Sequence, residues 1–349
     1  MTSDLSTRLA AYLAENLTQA PVSITGLEQF SVGSSRYTYG FEARWTGADG
    51  KACSEPLVLR IDPPDPDGSL VPSNMAGEYD WYRAMDENGT VPVPEPILCE
   101  TDPAALGAPF MIMRRISGAA DWDTLFEEDY AAIRDSIGRE AFAALGRMAA
   151  IDATTLGLTH TPMPVSAETI WHEQLDYWDT ILLQGQFAPM PLTRAAIRML
   201  RANPPCPPAR IAPSHGDYRF GNFMYGREGI VGLLDWEMAH LSDPHEDLAW
   251  TSLETFRPRK HDLVWGFVPF EEGIAAWEQA SGLTFDPAVF AWWRVFAHVK
   301  ATALWVNGAR ASVDGHSDSV RYLFLNWFNT PLQERWMTKA MRNLAEHLS

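Results

Sequence analysis

At 349 residues, with 46% hydrophobic and 21% charged side chains, the chain has an ordinary globular composition, which excludes disorder and a single small domain. A net charge of −18 argues against a nucleic-acid or anionic-membrane partner; an acidic surface also suits a cationic substrate, although solubility alone accounts for it. Cys53, Cys99 and Cys206 are odd in number and far apart, which suggests neither disulfides nor a CxxC site.

The N-terminus places Leu5, Leu9 and Leu13 at helical spacing after Asp4, an amphipathic helix and not a signal peptide. No apolar run approaches the ~20 residues of a membrane span, so a cytoplasmic protein is expected. Gly26–Val32 and Arg36–Trp45 read as strands joined by Gly33, Ser34 and Ser35. In the second, Tyr37, Tyr39, Phe41 and Ala43 alternate with polar or small residues. A turn at 47–50 leads to a third strand, 56–61, opening an antiparallel sheet. Gly33 would let the backbone approach a phosphate, with Ser34 and Ser35 as donors, although most Gly-Ser turns are plain hairpins.

After the Pro- and Asp-rich stretch 63–74, residues 76–88 read as a helix carrying Glu78. Arg60 on the third strand and Glu78 stand where a phosphate-gripping cation and its helix Glu would be, with a surface ion pair as the plainer alternative. Strands follow at 97–99 and 109–116, and Ser117-Gly118 marks the change from β to α. Two lobes are therefore expected, residues 1–116 and 117–349. The backbone of Met113 to Arg115 is placed for an adenine edge between them.

Helical periodicity then covers 130–150, 166–183 and 192–201, and the proline run 204–208 must break it. The last hundred residues are helical and aromatic, with Trp265, Trp277, Trp292, Trp293, Phe296, Trp305, Tyr322, Trp327 and Trp336. Most should be core, and some could line an acceptor pocket.

The most informative stretch is Ser214-His215-Gly216-Asp217-Tyr218-Arg219-Phe220-Gly221-Asn222, followed by a turn and Asp235-Trp236-Glu237. One acid, an amide five residues on and a second acid beyond a hairpin are the set that phosphoryl transfer needs. His-x-Asp-x-x-x-x-Asn is the order of the protein-kinase catalytic loop. With Gly between His and Asp, the stretch resembles the aminoglycoside-phosphotransferase family. The Val58-Leu59-Arg60 strand and the Val91–Pro94 run are similar to the branch of kinase domains fused to acyl-CoA dehydrogenases.

The resemblance implies an α+β, two-lobed, protein-kinase-like fold and a kinase that uses ATP or GTP with Mg2+ on a small hydroxylated substrate. It implies nucleotide binding in residues 1–116, and the catalytic loop and acceptor site in residues 117–349. It implies Asp217 as catalytic base, Arg219 as a cation on the γ-phosphate, and Asn222 and Asp235 as metal ligands. His215 would brace the loop. The sequence departs from the pattern in having Arg60 for the usual Lys and Trp236-Glu237 for Phe-Gly. Two alternatives stay open: a nucleotide-binding pseudokinase, and a hydrolase whose metal is held among His215, Asp217, Asp235, His240, Asp243, His245 and Asp247.

Overall fold

A computed structural model describes residues 2–30, 36–63, 71–162, 166–257, 262–317 and 320–349. Helix α1 (Thr2–Leu13) precedes strands β1 (Ser23–Gln29), β2 (Tyr37–Thr46) and β3 (Ala52–Ile61). Helix α2 (Met75–Asn88), β4 (Pro96–Glu100) and β5 (Phe110–Arg114) complete the first part. The five strands form one antiparallel sheet in the order β1-β2-β3-β5-β4. β3 begins four residues earlier than its apolar run, because the turn after Thr46 is tight enough to pair Ala52 with Thr46 at once.

Two-residue alternation decides which side of the sheet each residue serves. Leu57, Leu59, Ile61, Phe110 and Ile112 join Leu9 and Leu13 of α1 in one buried cluster. Met111, Met113 and partly buried Val58 belong to a second cluster, shared with α2 and the helical half. Arg60 lies between Leu59 and Ile61 and so points with Val58 toward that helical half.

Asn74 caps α2, its side chain accepting from the Gly77 N–H, and Gly89 closes it in the left-handed conformation at φ 67°. The chain leaves the sheet at Arg114, and Ala119 pairs with Tyr225 through two backbone hydrogen bonds. The helical half holds α3 (Trp122–Leu125), α4 (Arg134–Ala150), α5 (Ile170–Gly185) and α6 (Pro191–Ala202). Strands β6 (Ala212–Ser214), β7 (Phe223–Gly226), β8 (Gly229–Leu233) and β9 (His240–Ser242) form two small ribbons, β6 with β9 and β7 with β8. Helices α7 (His245–Thr251), α8 (Phe270–Ser281), α9 (Pro287–Val313) and α10 (Val320–Leu348) follow.

The α9 helix is apolar on every side and buried among α5, α6, α7 and α10, as an all-round hydrophobic helix must be. Trp265, Trp277, Trp292, Trp293, Phe296 and Tyr322 are core, as expected; Trp305 is half-buried and Trp327 is exposed. Among the described residues no helix is long and apolar enough to cross a membrane. The three cysteines are unpaired.

One polar group is locked between α9 and α10. The His298 ring is fully buried, and the Gln333 amide donates to its Nδ1 at 2.8 Å. Burial, with the Arg294 charge adding to it, pushes the imidazole down to about 3, so the ring stays neutral in the fold. The unfolded chain takes up this proton near pH ~6.5. A depressed histidine therefore contributes full stability above that value and loses it as pH falls toward 3, at up to ~1.4 kcal/mol per pH unit. Urea unfolding of His298→Gln should consequently depend less steeply on pH between about 7 and 5 than that of the wild type. Parallel curves for the two proteins would refute the assignment.

Candidate functional site

The two small ribbons set out the site. β6 feeds directly into His215, and its partner β9 leads into α7. β7 starts at Phe223, beside Asn222, and its partner β8 ends at Leu233, two residues before Asp235. The Leu234 N–H donates to the Asn222 carbonyl at 2.7 Å, so antiparallel pairing brings Asn222 next to the Leu234-Asp235 step. Asp235 itself sits in the left-handed region (φ 68°, ψ 57°), an uncommon place for a side chain and one that turns its carboxylate out of the strand direction. Its N–H donates to the Tyr82 hydroxyl at 2.9 Å.

Asp217 is held by three donors. Trp250 Nε1 donates to Oδ1 at 2.8 Å and Asn222 Nδ2 to Oδ2 at 2.7 Å, while Arg219 Nε reaches both oxygens at 3.2 and 3.1 Å. The Asn222 amide also donates to the Asp217 carbonyl, which fixes that nitrogen on Asp217 and leaves the amide oxygen as the atom directed elsewhere. The loop below is pinned by α7. Asp247 accepts the His215 N–H at 2.6 Å and the Gly216 N–H at 3.0 Å. Gly216 is required here: at φ +80° its backbone is left-handed, and a Cβ would stand 2.1 Å from the Met238 carbonyl oxygen.

Beneath the loop, Lys300 of α9 is 1% exposed. It donates to the Gly216 carbonyl at 2.7 Å and to Glu246 at 3.2 Å, and lies over the rings of Trp250 and Trp178. Burial would raise the Glu246 carboxyl, but His240 and Lys300 outweigh it and hold it at about 2. His215 is a brace: Nε2 faces the Leu234 carbonyl at 2.8 Å, and Nδ1 accepts the Asp217 N–H at 3.3 Å. Burial lowers its pKa, which suits the neutral ring that this pattern requires.

From the sheet side, Arg60 donates to Asp235 Oδ1 at 2.7 Å and approaches Glu78 at 3.3 Å. Burial favours the neutral form of Asp235, yet Arg60, with Arg219 and Arg36 behind it, holds the carboxyl below the usual range. Glu78 is shared, since Arg36 forms an ion pair with it as well. Arg36 is 5% exposed; it also bonds Asp62 at 2.7 Å and Ser73 at 3.1 Å, and lies 3.8 Å from Glu237.

Asp217, Arg219 and Asn222 thus form one cluster and Arg60, Glu78 and Asp235 another, set side by side by the Leu234–Asn222 hydrogen bond. Met113 and Arg115 do not join them as expected. The Arg115 N–H donates to the Pro56 carbonyl and the Arg114 N–H to the Glu95 carbonyl, both at 2.9 Å, so these two donors are engaged within the protein. The Arg115 side chain turns outward to Glu42, and Met113 is buried in the core. Gly33, Ser34 and Ser35 lie outside the described residues.

Sequence reasoning missed Arg36, Trp250 and Lys300. Lys300 alone carried a signal, as the one lysine of a largely apolar helix, flanked by Ala297, Val299 and Ala301. The hydrolase alternative loses its ligands. His215, His240 and His245 each have both ring nitrogens engaged by protein partners, His240 with Met238 and Glu246, and His245 with Asp243 and Asp286.

Asn222 and Asp235 offer an amide oxygen and a carboxylate at neighbouring strand ends, a hard donor pair that fits magnesium. Asp247→Ala would leave the buried His215 and Gly216 N–H groups without their acceptor. It should cost roughly 2–5 kcal/mol, read as a lower urea midpoint. A midpoint within error of the wild type would show that the loop is held by other means.

The family model described as "Phosphotransferase enzyme family" matches residues 26–293. The chain is 29% identical over 256 residues to acyl-CoA dehydrogenase family member 10 of Mus musculus and 24% identical over 267 residues to family member 11 of Homo sapiens. Those alignments take in 69% and 74% of the chain but 21% and 32% of the relatives, so the chain spans a third or less of their length. A chain from Ralstonia eutropha JMP134, described provisionally as an aminoglycoside phosphotransferase, superposes with a TM-score of 0.72 at 22% identity, covering 96% of this chain and 98% of that one. The aminoglycoside phosphotransferase APH(4)-Ia, in complex with AMP-PNP and hygromycin B, superposes at 0.57 and 15% identity, covering 97% and 98%. These likenesses establish the two-lobed, protein-kinase-like fold. With the family model spanning most of its length, the chain belongs to the phosphotransferase enzyme family.

Proposed function

We propose that the chain transfers the γ-phosphoryl group of ATP or GTP to a hydroxyl of a small molecule. The observation that carries this is the carboxylate of Asp217, fixed by Trp250, Asn222 and Arg219, with Asn222 adjoining the Leu234-Asp235 step and Asp235 bound by Arg60. Asp217 orients the acceptor hydroxyl and takes its proton as the new O–P bond forms and the bond to the β-phosphate oxygen breaks. Arg219 faces the developing charge. Arg60, positioned by Glu78, grips the nucleotide phosphates as a planar fork where a lysine would act as a point charge. Magnesium held by Asn222 and Asp235 would balance the charge on the phosphate oxygens.

Trp250 and Phe256, whose rings meet at 5.5 Å, lie beside Asp217 and Arg219, with the Arg219 guanidinium 5.9 Å from the Phe256 ring. Likeness to acyl-CoA dehydrogenase family members favours a hydroxylated acyl metabolite over an antibiotic as the acceptor. One feature favours a catalytically weak nucleotide-binding module instead, namely that Arg60 already occupies Asp235. Turnover decides between the two.

A panel of hydroxylated metabolites and antibiotics should yield at least one acceptor that drives ATP consumption. With it, Asp217→Asn should keep the fold and the nucleotide affinity and lose transfer by about a hundredfold or more. Asp235→Ala should instead weaken binding of the magnesium nucleotide, read by titration. Equal turnover in Asp217→Asn and the wild type would remove the base assignment.

A further inference from the structure

The first half of α10 is built with its polarity reversed. Its inward face carries Asn329 and Gln333, both buried, beside Tyr322. Its outward face carries Val320, Leu323, Phe324, Trp327 and Phe328, all exposed, at the i, i+3, i+4, i+7, i+8 spacing of a continuous apolar stripe. Trp327 is 79% exposed, and the Phe324 and Phe328 rings are already stacked at 5.1 Å. Beyond Pro331 the exposed positions return to the ordinary pattern, with Arg335, Lys339, Arg342 and Asn343 outward. A helix that sends amides inward and aromatics outward for two turns is not shaped for water on that side.

We propose that this stripe is the contact between two copies of the chain, paired across a two-fold axis with their α10 stripes face to face. Three observations favour a second copy over other occupants. None of the five stripe residues carries a charge, so the stripe complements itself and offers nothing to a charged partner. Each chain carries a net charge of −18, which disfavours an anionic lipid surface and confines self-association to a neutral face such as this one. The area also suffices. Five side chains each exposing about 100 Å² would bury ~1,000 Å² over two copies, near the lower bound for a specific contact. An interface of that size is concentration-dependent.

Sedimentation of the full chain from about 1 to 200 μM tests the proposal. The expected mass rises toward twice the 39.0 kDa of one chain and stays at one chain for Trp327→Asp, whose circular dichroism should match the wild type. Phe328→Lys, which adds the opposite charge to the same stripe, should behave alike and serves if Trp327→Asp fails to fold. A wild type that remains monomeric across the range would overturn the proposal, as would a dimer that persists in a folded variant. So would a monomer that binds neutral phosphatidylcholine vesicles through Trp327.

Discussion

The Asp247 carboxylate is the constraint on which the site depends. Two backbone N–H groups at the left-handed Gly216 turn cannot pair with a strand, and burial would make them costly without an acceptor. Asp247 supplies both bonds from the first turn of α7, and Lys300 of α9 takes the carbonyl on the other side of the same turn. The loop is thereby fastened to two helices of the buried core as well as by bonds among its own residues. Trp250, one helical turn after Asp247, then reaches the Asp217 carboxylate directly. The loop, α7 and the Asp217 carboxylate are thereby tied to one another.

The second relation joins the two halves of the molecule. Arg60 projects from the sheet because period-2 alternation sends Leu59 and Ile61 to the α1 side. Its guanidinium bridges Glu78 of α2 and Asp235 beyond β8. Arg36 repeats the arrangement one strand away, with Glu78 shared between the two cations. Burial would favour the neutral form of Asp235, and the guanidinium of Arg60 beside it keeps that carboxyl below its usual range. This cluster of charges adjoins Asn222 through the Leu234–Asn222 hydrogen bond, so the interaction that holds sheet to helices lies next to the Asp217 loop.

Aromatic side chains do two kinds of work in the helical half. Trp277, Trp292, Trp293 and Phe296 fill the space around α8 and α9, where large rings close-pack and the Trp292 indole N–H donates to the Leu200 carbonyl. Trp250 and Trp178 instead provide faces for the buried ammonium of Lys300, which lets a charge remain in the core. Trp327 belongs to neither group, and its exposure belongs to the surface chemistry of α10.

The sequence by itself determined the order of sheet and helices, since apolar periods of two and 3.6 residues are local properties. It also determined the spacing of Asp217, Asn222 and Asp235, because a short loop and one hairpin set how far apart they can fall. The three-residue strands β6 and β9 escaped notice, too short for any period to register. Only the tertiary structure decided which side chains meet across distance: Arg60 with Asp235, 175 positions apart, Lys300 with Gly216, 84 apart, and Trp250 with Asp217, 33 apart. It likewise decided that carbonyls within the protein engage the N–H groups of Arg114 and Arg115. The physical reason is common to all of these: a partner that the fold brings in from another element leaves no periodic trace in the stretch that receives it.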